Sequence, residues 1–145
     1  MATSFRATFK RLEGKLLKAT AETTKNFAND LKKEVLNSIS QGKSPVAGEG
    51  PYQKYSDSYK KQFRRLGKTA RPVNLKVTGK MLNSFKVRAL INGFVLWFTS
   101  PIAKYHNGEG RVDRIMLPGE GQTFNKNIIA KLRKRYARMV RSAFK

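Results

Sequence analysis

Residues 85–91 and 94–99 are two strand-like runs, rich in β-branched and aromatic side chains, on either side of Asn92-Gly93. An Asn-Gly pair between two such runs favours a two-residue turn with both central residues at positive φ, so the fold has to contain a β-hairpin. Closing at that pair sets Ile91 opposite Phe94, Ala89 opposite Leu96 and Val87 opposite Phe98, which gives one wholly apolar face that a helix must cover. The same register sets Arg88 opposite Trp97 on the other face, where a guanidinium stacked on an indole adds about 0.5–1 kcal/mol. That second face is expected to meet solvent or a partner. Residues 73–77, between Pro72 and Gly79, read as an additional strand, because a lone two-stranded ribbon needs a third partner.

The hairpin's cover is found at the two ends of the chain. Phe5, Phe9, Leu12, Leu16, Phe27, Leu31, Val35 and Ile39 recur at helical intervals, with Ala19 and Thr23 between them, and predict one long amphipathic helix over 5–39. Gly14 and the Thr20 to Thr24 stretch weaken it locally, so a bend or break is expected there. Ile128, Ile129, Leu132, Tyr136, Met139, Val140 and Phe144 predict a second long helix over 125–144. A shorter basic helix over 56–66 has Ser56 as N-cap, Asp57 in its first turn, Tyr59 and Phe63 four apart, and Gly67 after its end. Residues 41–51 are rich in Gly, Pro and Ser and promise no pairing. The expected fold is α+β, a single domain over 1–145. Long N-terminal and C-terminal helices pack on a small antiparallel sheet containing the hairpin at about 85–99, with flexible loops at about 41–55 and 107–123.

Charge narrows the class of partner. The 145 residues include 31 Lys and Arg against 9 Asp and Glu, a formal net charge of +22. Residues 1–50 carry +4, residues 51–100 carry +10 and residues 101–145 carry +8, so the last two thirds hold most of it. Such a surface repels its own kind and attracts anions, whether nucleic acid, an anionic membrane or an acidic protein. Lys131, Arg133, Lys134, Arg135, Arg138 and Arg141 lie in the C-terminal helix, which has no acid of its own, and are the candidate contacts for DNA or an acidic surface. They need an outside neutraliser or they stay solvated.

Little in the chain points to catalysis. There is no cysteine and a single histidine, His106, which excludes disulfides, thiolate nucleophiles and Cys/His metal sites. Glu109, Asp113 and Glu120 lie near His106 in sequence and are read as punctuation in a basic, Gly-rich loop. Gly108-Glu109-Gly110 and Gly119-Glu120-Gly121 lack the spacing of a phosphate-binding loop and carry an acid where phosphate would sit. No cofactor, no metal and no enzymatic activity are expected. No apolar run approaches the roughly 18 residues of a membrane span, and the first residues lack the apolar stretch of a secretory signal, so a cytosolic product is expected.

Four segments carry a resemblance. Thr78-Gly79 followed by Ser84 precedes the hairpin, and Ala103-Lys104-Tyr105-His106-Asn107-Gly108 follows it. Arg114-Ile115-Met116-Leu117-Pro118 precedes the last helix, and Pro51-Tyr52, Lys54-Tyr55-Ser56 and Tyr59-Lys60 lie upstream. In this order, across residues 5–145, they resemble the tail-completion, head-tail joining and virion-morphogenesis proteins of tailed bacteriophages. Ile115 and Met116 stand where that family has Pro and Phe. The resemblance implies an α+β fold and a structural subunit that assembles as a ring at the head-tail junction or tail end. It implies as partners the portal or adaptor, the tail terminator and the tail tube, contact with packaged DNA, and a place in the virion after synthesis in the host cytoplasm. Arg88, Trp97, Tyr105, His106, Arg111 and Arg114 are the candidate partner interface. The alternative is a basic protein that contacts or condenses DNA.

Overall fold

The computed structural model describes residues 2–75, 79–90, 93–109, 112 and 114–143. Helix α1 runs without interruption over Ala2–Ser40, so the bend expected near Gly14 and Thr20 does not break its hydrogen bonding. Helix α2 spans Asp57–Arg65, a single helical turn α3 spans Lys80–Asn83, and strands β1 (Phe85–Leu90) and β2 (Gly93–Phe98) form the hairpin. A π-helical turn at Tyr105–Glu109 and helix α4 at Lys126–Ala143 complete the order. Helices with one small antiparallel sheet make the fold α+β. Among the described residues no helix is long and apolar enough to cross a membrane.

The amphipathic stripe of α1 is the spine of the core. Ala28, Leu31, Val35 and Ile39 are each at most 2% exposed, and α1 packs against both strands and against α4. Phe27 sits between the two, its ring 5.6 Å from Phe94 of β2 and 5.6 Å edge-on from Tyr136 of α4. Ile128 and Leu132 close the α4 side, and Met116 and Ala103 close the core from the loops. Helix α2 begins as expected, with Ser56 Oγ accepting the Tyr59 N–H and Lys60 paired to Asp57 at 2.7 Å, and Gly67 follows its end at φ 63°. Tyr59 and Phe63 of α2 cluster with Tyr55, just before the N-cap, with ring centroids 4.9–5.7 Å apart.

Three expectations are corrected. The hairpin pairs Phe85 with Phe98, Lys86 with Trp97, Val87 with Leu96, Arg88 with Val95 and Ala89 with Phe94. This is a shift of two residues from the register that a turn at Asn92-Gly93 would give. Because side chains alternate with period two, the shift leaves each residue on its expected face and changes only its cross-strand neighbour. Arg88 therefore lies opposite Val95, and Lys86 takes the place opposite Trp97. Gly93 enters the ladder opposite Leu90, while Ile91 and Asn92 lie outside the described residues.

The third strand is absent among the described residues, and the sheet has two strands. Val73 and Leu75 are both buried, as alternate positions of a strand would be, but Leu75 adopts φ 56°, outside the extended range of a strand. Its N–H donates to the Tyr55 hydroxyl at 2.9 Å, so tertiary packing has taken the donor that a ladder would use. Residues 76–78 lie outside the described residues.

The 41–55 segment is also paired where none was expected. Lys43 bridges to Pro51 and Val46 to Phe124. Ser44 Oγ donates to the Ile115 carbonyl at 2.7 Å, and Asn125 Nδ2 donates to the Ser44 carbonyl at 2.9 Å. Gly42, at φ 75°, passes so close to residues 72–73 that a Cβ would meet Pro72 Cβ at 3.1 Å and the Val73 nitrogen at 3.3 Å. Hydrogen bonds to residues 115 and 123–125 thus fasten a segment whose composition reads as loop.

Candidate partner-binding surfaces

The outward face of the hairpin consists of Lys86, Arg88 and Leu90 on β1 and Val95 and Trp97 on β2. Leu90 is 47%, Val95 44% and Trp97 37% exposed, so three large apolar groups stand in water beside two cations. Alternation forces this. The inward residues Phe85, Phe94, Leu96 and Phe98 pack on the core, and their neighbours must turn away. Trp97 and Arg88 were expected on this face. Leu90 and Val95 were not singled out, although the same alternation places them beside Trp97.

The segment after the hairpin divides into outside and inside residues. Tyr105 is 52% exposed with the Lys104 ammonium 5.2 Å from its ring centre, and Ile102 is 54% exposed. Arg114 is buried: Nε and Nη2 both donate to the Gln53 carbonyl at 3.3 Å, and the guanidinium lies 5.1 Å over the Tyr55 ring. Its N–H donates to the His106 carbonyl at 2.9 Å. Asn107 Oδ1 accepts from Met116 N–H at 2.7 Å and from Leu117 N–H at 3.3 Å. Arg114 and His106 therefore join the π-helical turn to residues 51–55 and 114–117, and of the expected interface residues here Tyr105 is the one fully on the outside. Arg111 lies outside the described residues.

Burial, with the nearby Arg114 guanidinium adding to it, holds the His106 imidazole below its usual 6.5. The folded chain then binds fewer protons than the unfolded chain once pH drops below 6.5. Stability is complete above that value and falls as the pH is lowered from 6.5 toward the folded-state value. Urea titrations at a series of pH values are expected to show that decline in the native chain and a flatter curve in His106→Gln. Parallel curves would remove His106 as its source.

Helix α4 presents its cations in two groups. Lys131 meets Glu34 at 2.5 Å and Arg135 meets Asp30 at 3.0 Å, an antiparallel pairing of i and i+4 positions on both helices. The neutralisers that α4 lacks are supplied by α1. Arg133, Lys134, Arg138 and Arg141 are exposed and point elsewhere, with no ion pair among the described residues. The matching i,i+4 spacing of Asp30 and Glu34 was present in the sequence but carries no sign of its partner until the helices are docked.

Nothing among the described residues converges as a catalytic centre. No group of three or more His, Asp and Glu side chains is placed to hold a metal ion. A cleft lies where the C-terminal end of α1 meets the start of α4, lined by Glu34, Ser38, Lys43, Asn125 and Lys126 among others. None of the groups whose protonation is shifted, Tyr52, Tyr55, Asp57 and His106, lines it. No family model matches the chain, and neither the curated proteins nor the solved structures include a match.

Proposed function

We propose that this chain is a non-enzymatic structural subunit of a tailed-phage particle, a neck or tail-completion protein that assembles as a ring at the head-tail junction. The observation that carries this reading is the hairpin's outward face, where Leu90, Val95 and Trp97 stand exposed beside Lys86 and Arg88. A small two-stranded sheet that leaves its second face apolar is built to be covered, and an aromatic flanked by cations is a typical anchor of a protein interface. The segments that resemble the tail-completion family sit at structural joints. Gly79, at φ 79°, starts α3, and Ser84 links α3 to β2 through its hydroxyl, which donates to the Met81 carbonyl at 2.6 Å and accepts the Ser100 N–H at 3.0 Å. Ala103 and Asn107 anchor the loop after the hairpin. Helix α1 packs on the hairpin and α4 packs on α1, which is compatible with an α+β subunit.

In this reading the excess positive charge keeps free subunits apart until an acidic neighbour, the portal or adaptor, the tail terminator or the tail tube, compensates it. Quantitative mass spectrometry of purified virions is expected to find a small fixed number of copies relative to the portal protein, about six or twelve for a closed ring. A chain absent from the particle would sink the structural reading.

A further inference from the structure

Four of the α4 cations that α1 leaves unpaired, Arg133, Lys134, Arg138 and Arg141, form a surface of a different kind from the hairpin face. Lys134, Arg138 and Arg141 follow each other at i, i+4 and i+7 and so share one side of the helix, with Arg133 at its edge. Ala137 and Ala130, both exposed, are the side chains between and beside them. Among the described residues this ridge contains cations and methyl groups and no large apolar residue. Tyr136, 37% exposed, lies on another side of the helix with its ring edge-on to Phe27.

We propose that the outer ridge of α4 is a sequence-independent contact for the phosphate backbone of duplex DNA. Protein interfaces gain affinity from buried aromatic or aliphatic anchors, which this ridge lacks, and interfacial membrane helices need an apolar face to insert. A polyanion needs neither, because release of its condensed counterions drives binding to a row of cations. The geometry suits that ligand. Lys134 to Arg141 rises about 10 Å along the helix axis, close to the rise of three phosphates along one strand. The small Ala side chains let the helix lie close to the backbone. Lys131 and Arg135 are already paired with Glu34 and Asp30, which compensates part of their charge. The inference stands whether or not the chain is a ring subunit.

The test is fluorescence anisotropy of the full chain with a labelled duplex of mixed sequence, across a series of NaCl concentrations. A variant with Lys134→Gln, Arg138→Gln and Arg141→Gln is compared with a control of equal charge loss on α2, Lys61→Gln, Arg64→Gln and Arg65→Gln. The slope of log affinity against log salt is expected to shrink by about 2.7 in the α4 variant, about 0.9 for each phosphate contact removed, and by much less in the control. All three α4 side chains are exposed, so the variant should keep its helical circular dichroism, which is measured alongside. Equal losses in the two variants would mean that net charge alone binds DNA, and would overturn the proposal. So would an unchanged slope in the α4 variant, or a native chain that binds anionic phospholipid vesicles while leaving the duplex free.

Discussion

Phe85→Ala is expected to cost about 3–5 kcal/mol, the range for truncating a fully buried phenylalanine. Phe85 is 0% exposed, and its ring stacks on Phe98 with centroids 4.6 Å apart and planes 14° from parallel. The Lys32 ammonium lies 5.8 Å from its ring centre, so the residue joins β1, β2 and α1 at one point. It also follows Ser84, whose hydroxyl ties α3 to the end of β2, so the cavity would open beside the joint that aims the hairpin. A sheet of two strands has no neighbour to collapse into the space. Domains of this size have about 5–15 kcal/mol in total, so the variant should unfold at a much lower urea concentration. Lys86→Ala, one residue along on the exposed face, should shift the midpoint little. A Phe85→Ala loss below about 1 kcal/mol would mean that the hairpin is held elsewhere.

The sequence made some elements legible and left others hidden for physical reasons that can be named. Periodicity marked α1, α2 and α4 because each buries one stripe, and Ser56 and Gly67 marked the ends of α2 because caps answer local hydrogen-bonding needs. Alternation marked the strands and their faces. It could not fix the register, since a shift of two residues keeps every face and is decided by the packing of Phe85 on Phe98 against α1. Residues 73–75 look like strand by composition, but Tyr55 takes the Leu75 N–H, and nothing local foretells a hydroxyl arriving from twenty residues upstream. The 41–55 segment fails in the opposite sense. Its order comes from Ile115 and Asn125, contacts seventy and more residues away that composition cannot carry. The same limit governs the surfaces. The cations of α4 were legible as a group, whereas their division into paired and unpaired sets depends on where Asp30 and Glu34 dock.

On the proposed neck or tail-completion role, Trp97→Ala is expected to leave the fold intact and abolish the joining of heads to tails. The indole is partly exposed on the side of the sheet away from α1, so its loss opens no cavity in the core, and the thermal midpoint should move little. At an interface the same truncation removes the kind of anchor whose loss costs about 2–4 kcal/mol, roughly 30- to 1,000-fold in affinity at each contact. In a ring each subunit repeats the contact, so the deficits multiply around the assembly and a stepwise loss of joining should replace a graded one. The experiment supplies the variant from a plasmid to a phage lacking the native chain, then counts plaques and images the lysate. Separate full heads and complete tails, with the purified variant still folded, are the expected outcome. Leu66→Ala is the control, because Leu66 is 54% exposed at the end of α2, away from the hairpin, and removes similar apolar area. Normal titres with Trp97→Ala would take the hairpin face out of the assembly. Equal defects in both variants would mean that exposed apolar area matters wherever it lies, and the specific role of Trp97 would fall.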